Sequence, residues 1–243
     1  MLPLIPIIIL MCAGAVLVAF FLIEKVKAYS VKAVMFKAAA SICFVAVAAV
    51  SLFAKGYHAL SIFVTLGLFS GVLGDIWLDF KYVFKEHDKI FTYAGFIAFA
   101  VGHACYITGM FLEFFNGQSP LYVILPLVGG LIISVLNLFI AKPMKLDYTG
   151  YKAISFVYGF FLFSMILSSL SLCIMTGFKS ATLIMMFVGG LLFTISDLIL
   201  SGTYFGKGKE RPVDIITNSV SYYAAQFVIA LAMFFIYFAL FFF

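Results

Sequence analysis

Eight apolar stretches follow one another with only short connections, at residues 3–23, 34–54, 59–80, 91–112, 121–141, 153–176, 181–202 and 215–240. A helix needs about 20 apolar residues to cross the hydrocarbon of a bilayer, so each stretch is long enough to span. Almost nothing is left over for a soluble domain. The composition agrees: 65% of residues are hydrophobic and 10% charged, where a soluble domain carries about 25% charge. The expectation is an all-α fold, a polytopic membrane bundle of eight transmembrane helices in a single domain over residues 1–243.

The lysines separate the two faces. After the first, third, fifth and seventh stretches come Lys25, Lys27, Lys32 and Lys37, then Lys81, Lys85 and Lys89, then Lys142, Lys145 and Lys152, then Lys207, Lys209 and Arg211, thirteen of the fifteen basic residues. Only Lys55 and Lys179 fall on the other face. By the positive-inside rule both termini are extracytoplasmic. The net charge of +5 therefore needs no nucleic-acid partner, though the lysines could also hold anionic lipid headgroups. The first stretch lacks a basic leader and is too long for a signal-peptide core, so it is read as a span. An integral membrane protein results, in the cell membrane if bacterial and the endoplasmic reticulum if eukaryotic. Gly67, Gly71, Gly74, Gly129, Gly130, Gly189 and Gly190 are spaced for close helix packing in lipid. Cys12, Cys43, Cys105 and Cys173 occur singly in four helices and read as packing residues.

Within this apolar chain the sequence Gly74-Asp75-Ile76-Trp77-Leu78-Asp79 is echoed by Ser196-Asp197-Leu198-Ile199-Leu200. Ionisable groups inside a span are costly and usually serve a function. Each acid-bearing helix is followed by one with polar residues halfway along, His103 with Tyr106 and Tyr223 with Gln226, at separations of 28 residues from Asp75 to His103 and 29 from Asp197 to Gln226. This suggests a parallel four-plus-four internal repeat. Counted along their helices, Asp75 and Asp197 fall at one level, roughly 9 and 8 Å inside the lysine-rich boundary, with His103 and Gln226 near the midplane. Asn218, Tyr222 and Gln226 share one face of the eighth helix beside Ser219 and Tyr223, and such a row should point inward rather than at lipid. A polar pocket entered from the cytoplasmic leaflet follows.

Unless a base neutralises them, Asp75 and Asp197 cannot comfortably both ionise in such a place. One protonated and one ionised carboxyl is the division of labour that acid/base hydrolysis needs. The alternative is that each acid only ties helices together. Asp79, one turn below Asp75 and beside Lys81, reads either as an interfacial ion pair or as a third carboxylate of the site. His103 is either a satisfied buried histidine or a catalytic partner. A three-histidine zinc site is not expected, because His58 lies at the outer end of its helix and His87 in a loop. GxSxG, HExxH, Walker and Rossmann motifs are absent from the sequence. Glu113 and Trp77 read as interface residues.

Gly74-Asp75, the segment Phe96-Ile97-Ala98-Phe99-Ala100-Val101-Gly102-His103-Ala104-Cys105-Tyr106, Phe193-Thr194-Ile195-Ser196-Asp197-Leu198 and Ser221-Tyr222-Tyr223-Ala224-Ala225-Gln226 together resemble the YhhN-like lysoplasmalogenases, eight-helix membrane hydrolases. Val157-Tyr158 and Met165 also match that family's spacing, and the resemblance spans roughly residues 60–235. It implies hydrolysis of the sn-1 vinyl ether of a lysoplasmalogen to a fatty aldehyde and glycerophosphoethanolamine or glycerophosphocholine. The implied partners are a lysophospholipid, water and membrane lipid, and no metal or redox cofactor is required. In this reading Asp75 and Asp197 are the catalytic acids in either order. His103, Tyr223 and Gln226 bond the acids or the glycerol end, with Tyr106, Asn218, Tyr222 and Asp79 completing the pocket and cytoplasmic lysines holding the phosphate. The competing expectations are a proton-coupled lipid or small-solute transporter, a hydrolase of other lysolipids and a structural membrane subunit.

Overall fold

The computed structural model of the chain describes residues 3–27, 30–206 and 211–236. Among these residues are eight α-helices: α1 (Leu4–Lys27), α2 (Val31–Lys55), α3 (Ala59–Val83), α4 (Asp88–Phe114), α5 (Leu121–Ile140), α6 (Lys152–Met175), α7 (Ala181–Phe205) and α8 (Pro212–Ala232). All eight are long and apolar enough to cross a membrane. The expected eight-helix bundle is therefore present, and the chain has the character of an integral membrane protein. Lys207, Lys209 and the end of the eighth stretch, 237–240, lie outside the described residues.

The helices α1 to α4 and α7 run past the apolar limits at their lysine-rich ends, while α5 and α6 end one residue short of them. The α1 helix runs on to Lys27, and α2 begins at Val31 with Ser30 as its cap, the Ser30 hydroxyl accepting from the Ala33 N–H at 3.2 Å. A lysine can lie along apolar surface through its methylenes, so charge ends a hydropathy run without ending the helix. As a consequence Lys25 and Lys37 belong to the spans and not to a loop.

Consecutive helices pack as neighbours from α1 to α4 and again from α5 to α8, and the α4–α6 and α2–α8 contacts join the two sets. The neighbour pattern is thus the same in both sets. Since lipid tails are as apolar as leucine, close packing rather than water exclusion holds such helices together. Gly67 and Gly102 mark one close approach: a Cβ on Gly67 would lie 2.8 Å from the Gly102 carbonyl, and one on Gly102 would lie 2.9 Å from the Gly67 carbonyl. Phe44, Leu68, Tyr106, Met110, Met165 and Met186 are fully buried between helices, whereas Ile132, Leu136 and Phe139 of α5 face outward. On the lysine-rich end the 141–151 connection folds back over α7, with the Asp147 N–H donating to the Phe205 carbonyl at 2.8 Å.

The α3 helix ends at Val83, eight residues beyond Asp75, and α7 ends at Phe205, eight beyond Asp197. At 1.5 Å per residue both acids lie about 12 Å inside the bundle.

Candidate active site

Asp75 is 2% exposed and surrounded by donors. Its Oδ2 accepts from the Ser41 hydroxyl at 2.6 Å and the Tyr222 hydroxyl at 2.7 Å, and Lys37 Nζ stands 3.3 Å from Oδ1. Lys37 and Ser41 are four residues apart on α2 and so project from one face. The Lys37 ammonium also lies 3.4 Å from Asp79 Oδ1, and Lys25 Nζ of α1 donates to the same Asp79 oxygen at 2.8 Å. Two cations and two carboxylates thus meet between α1, α2 and α3. A buried carboxylate is tolerated where it is paired and its remaining lone pairs accept hydrogen bonds, as these do.

Behind Tyr222 the hydrogen bonds continue inward. Tyr106 donates to Gln226 Oε1 at 3.4 Å, the Gln226 amide donates to the Tyr222 oxygen at 3.0 Å, and Tyr222 donates to Asp75. Every donor in this chain points towards the carboxylate. Tyr223 lies alongside, donating to the Lys37 carbonyl at 3.1 Å with its oxygen 3.3 Å from Ser41 Oγ.

Asp197 has different surroundings. Its Oδ2 accepts from the Tyr158 hydroxyl of α6, and among the described residues no lysine or arginine forms an ion pair with it. Asn218 does not reach the acid: its amide donates to the Ser196 carbonyl at 2.7 Å and the Ser196 hydroxyl at 2.9 Å, tying α8 to α7.

The two acids line one cavity, about 1060 Å³ of empty space counting its open mouth. Lys25, Lys37, Asp75, Tyr158, Asp197, Asn218, Tyr222 and Tyr223 supply its polar lining, and Phe96, Phe99, Leu162, Phe163 and Phe193 its apolar lining. Tyr148, Ser201, Tyr204 and Phe205 surround the lysine-rich end. Tyr148 lies outside the spans; burial pushes its phenol above the usual range, opposed by Ser201 and Asn137, so it is a hydroxyl at neutral pH.

His103 does not line the cavity. Its Nδ1–H donates to the Phe99 carbonyl at 2.7 Å, its Nε2 is buried without a hydrogen-bond partner among the described residues, and the Phe193 ring packs 4.8 Å from its centroid. Tyr106, Gln226 and Asp79 likewise stand behind the lining residues, connected to it through hydrogen bonds and ion pairs. Asp79 is 4% exposed, deeper than its place beside Lys81 suggests, and its partners are Lys25 and Lys37; the Lys81 ammonium lies 3.3 Å from the centroid of the Tyr204 ring. Among the described residues no three His, Cys, Asp or Glu side chains are grouped to hold a metal ion.

Three residues beside the acids are not singled out by the sequence: Lys25 and Lys37 read as topology lysines, although Lys37 lies inside the 34–54 stretch with Ser41 one turn on, which marks a polar face. Tyr158 enters through the family's spacing, which does not say that it would meet Asp197.

The chain finds no match among curated proteins or among solved structures. The model of the YhhN family matches residues 32–233, which includes both acids and their hydroxyl partners Ser41, Tyr158 and Tyr222 on α2, α3, α6, α7 and α8. The chain belongs to the YhhN family.

Proposed function

We propose that the chain is a lysoplasmalogenase, hydrolysing the sn-1 vinyl ether of a lysoplasmalogen within the bilayer. The observation that carries this reading is the pair of carboxyls, Asp75 and Asp197, on one apolar-lined cavity with unlike partners. Vinyl ether hydrolysis begins when a proton is transferred to the alkene carbon remote from oxygen. The resulting oxocarbenium ion is captured by water at the carbon bearing oxygen, and the hemiacetal collapses to a fatty aldehyde and the sn-1 alcohol. Ether and one water are consumed, and the donated proton is returned.

Asp197, which among the described residues has a hydroxyl partner and no ion-pair cation, is assigned as the proton donor. Asp75, with Lys37 as counter-ion and two hydroxyl donors, is assigned as the carboxylate facing the developing cation. Once it has given up its proton, Asp197 can take one from the attacking water, so a single residue serves as acid and then base. Tyr222, Gln226 and Tyr106 hold Asp75 in place, and His103 supports the aromatic wall from behind. The phenylalanines lining the cavity suit an alkenyl chain, and Asn218 fixes the α7–α8 spacing next to Asp197.

The test offers purified protein matched lysolipids that differ only in a vinyl ether or an ester at sn-1, with detection of aldehyde and fatty acid. Aldehyde from the vinyl ether alone is the expected result. Fatty acid from the ester would identify a different lysolipid hydrolase, and binding or transport without either product would identify a carrier.

A further inference from the structure

We propose that Lys25, with Lys37 beside it, forms a subsite at the lysine-rich end of this cavity for the phosphate of a lysophospholipid headgroup. The inference rests on the lysoplasmalogenase reading and adds to it the part of the substrate that is recognised. Both ammonium groups belong to residues lining the cavity, whereas Asp79, which pairs with both, stands behind them. The Lys25–Asp79 pair therefore presents its ammonium to the cavity, while Lys37 stands beside it, shared between Asp79 and the lining carboxylate Asp75. Lys25 is held in position by its 2.8 Å bond to Asp79 and by the rings of Phe21 and Tyr82, whose centroids are 5.1 and 5.7 Å from Nζ. Its side chain is 13% exposed and that of Lys37 is 11% exposed, so a phosphate at Lys25 meets a desolvated ammonium with a second cation close by, where an anion would gain more than at a lipid surface.

The order of groups along the cavity matches the order along a lysolipid. Asp79, at the level of Lys25, is four residues from the end of α3, and Asp75 is eight. One helical turn, about 6 Å, separates them, the span of a three-carbon glycerol unit between the sn-1 oxygen and the phosphate. Beyond the acids lie Phe99, Leu162, Phe163 and Phe193 for the chain. A phosphate at Lys25 puts the vinyl ether at the level of the two acids, each eight residues from its helix end.

The experiment compares the purified chain on an alkenyl lysophospholipid and on the 1-alkenylglycerol of the same chain, which keeps the vinyl ether and lacks the phosphate. The readout is the ratio of kcat/KM for the two substrates. Lys25→Gln should lower this ratio about 10-fold or more, mainly through KM for the phospholipid, and Lys25→Arg should recover part of it. Because Lys25→Gln leaves Asp79 short of a partner, the double variant Lys25→Gln with Asp79→Asn, which removes a cation and an anion together, should show the same fall. An unchanged ratio in a folded variant overturns the proposal. Inorganic phosphate is the control arm: if it inhibits the wild type as strongly as glycerophosphoethanolamine does, and Lys25→Gln removes both effects equally, the site takes free phosphate and the headgroup assignment fails. Wild-type protein that makes aldehyde from neither substrate removes the lysoplasmalogenase reading itself, an outcome distinct from an unchanged ratio.

Discussion

Asp75 and Asp197 occupy the same level of α3 and α7, each eight residues from its helix end, yet their surroundings differ in kind. Asp75 has an ammonium 3.3 Å away, two hydroxyl donors and a hydrogen-bond chain reaching back to Tyr106. Asp197 has the Tyr158 hydroxyl alone among the described residues. Two helices with the same acid at the same depth thus place one carboxyl where its negative charge is compensated and the other where it is not. That difference separates a fixed anion from a proton donor, which a pair of equivalent acids would not do.

The comparison can be broken in graded ways. The largest effect is expected at the acid without a counter-ion: Asp197→Asn should lower aldehyde release from lysoplasmenylethanolamine by about 10³-fold, within the range general acids contribute. Near-wild-type turnover in a folded Asp197→Asn protein would refute its role. Next, Lys37→Met leaves Asp75 and Asp79 with only Lys25 between them and should destabilise the bundle by about 3–5 kcal/mol, measured by thermal unfolding in detergent. Adding Asp75→Asn to Lys37→Met should restore much of that stability. Tyr158→Phe removes the hydroxyl that Asp197 accepts from, and a roughly 10-fold fall in kcat is expected, in line with a hydrogen bond worth about 1.5 kcal/mol. The same change at Tyr223, which bonds the Lys37 carbonyl rather than an acid, should have a smaller effect on rate. Smallest is Asn218→Ala, which loses an α7–α8 tie worth about 1 kcal/mol and should show mainly as lowered stability.

The bundle and the level of the acids were legible in the chain because hydropathy and helical rise depend on sequence distance alone. The inward row of Tyr222 and Gln226 was legible for the same reason: four-residue spacing fixes a shared face, and both side chains are buried. What sequence did not reveal depends on how helices are turned against one another. Lys37 served equally well as a topology lysine or as the counter-ion of Asp75, and only the packing of α2 on α3 decides between them. Tyr158 is one of 13 tyrosines, and although Val157-Tyr158 matches the family's spacing, spacing does not say which acid its hydroxyl would reach. His103 has the right depth, but the rotation of α4 turns its ring behind Phe193 rather than into the cavity.

The central claim is that the two carboxyls act on one substrate in one cavity, and single-turnover aldehyde release by Asp75→Asn, Asp197→Asn and the double variant tests it most directly. Groups that act as a unit give strongly non-additive losses. The account predicts that the double variant is no more than a few-fold slower than Asp197→Asn alone. Losses that multiply, or either single variant folding normally and turning over like the wild type, would contradict it.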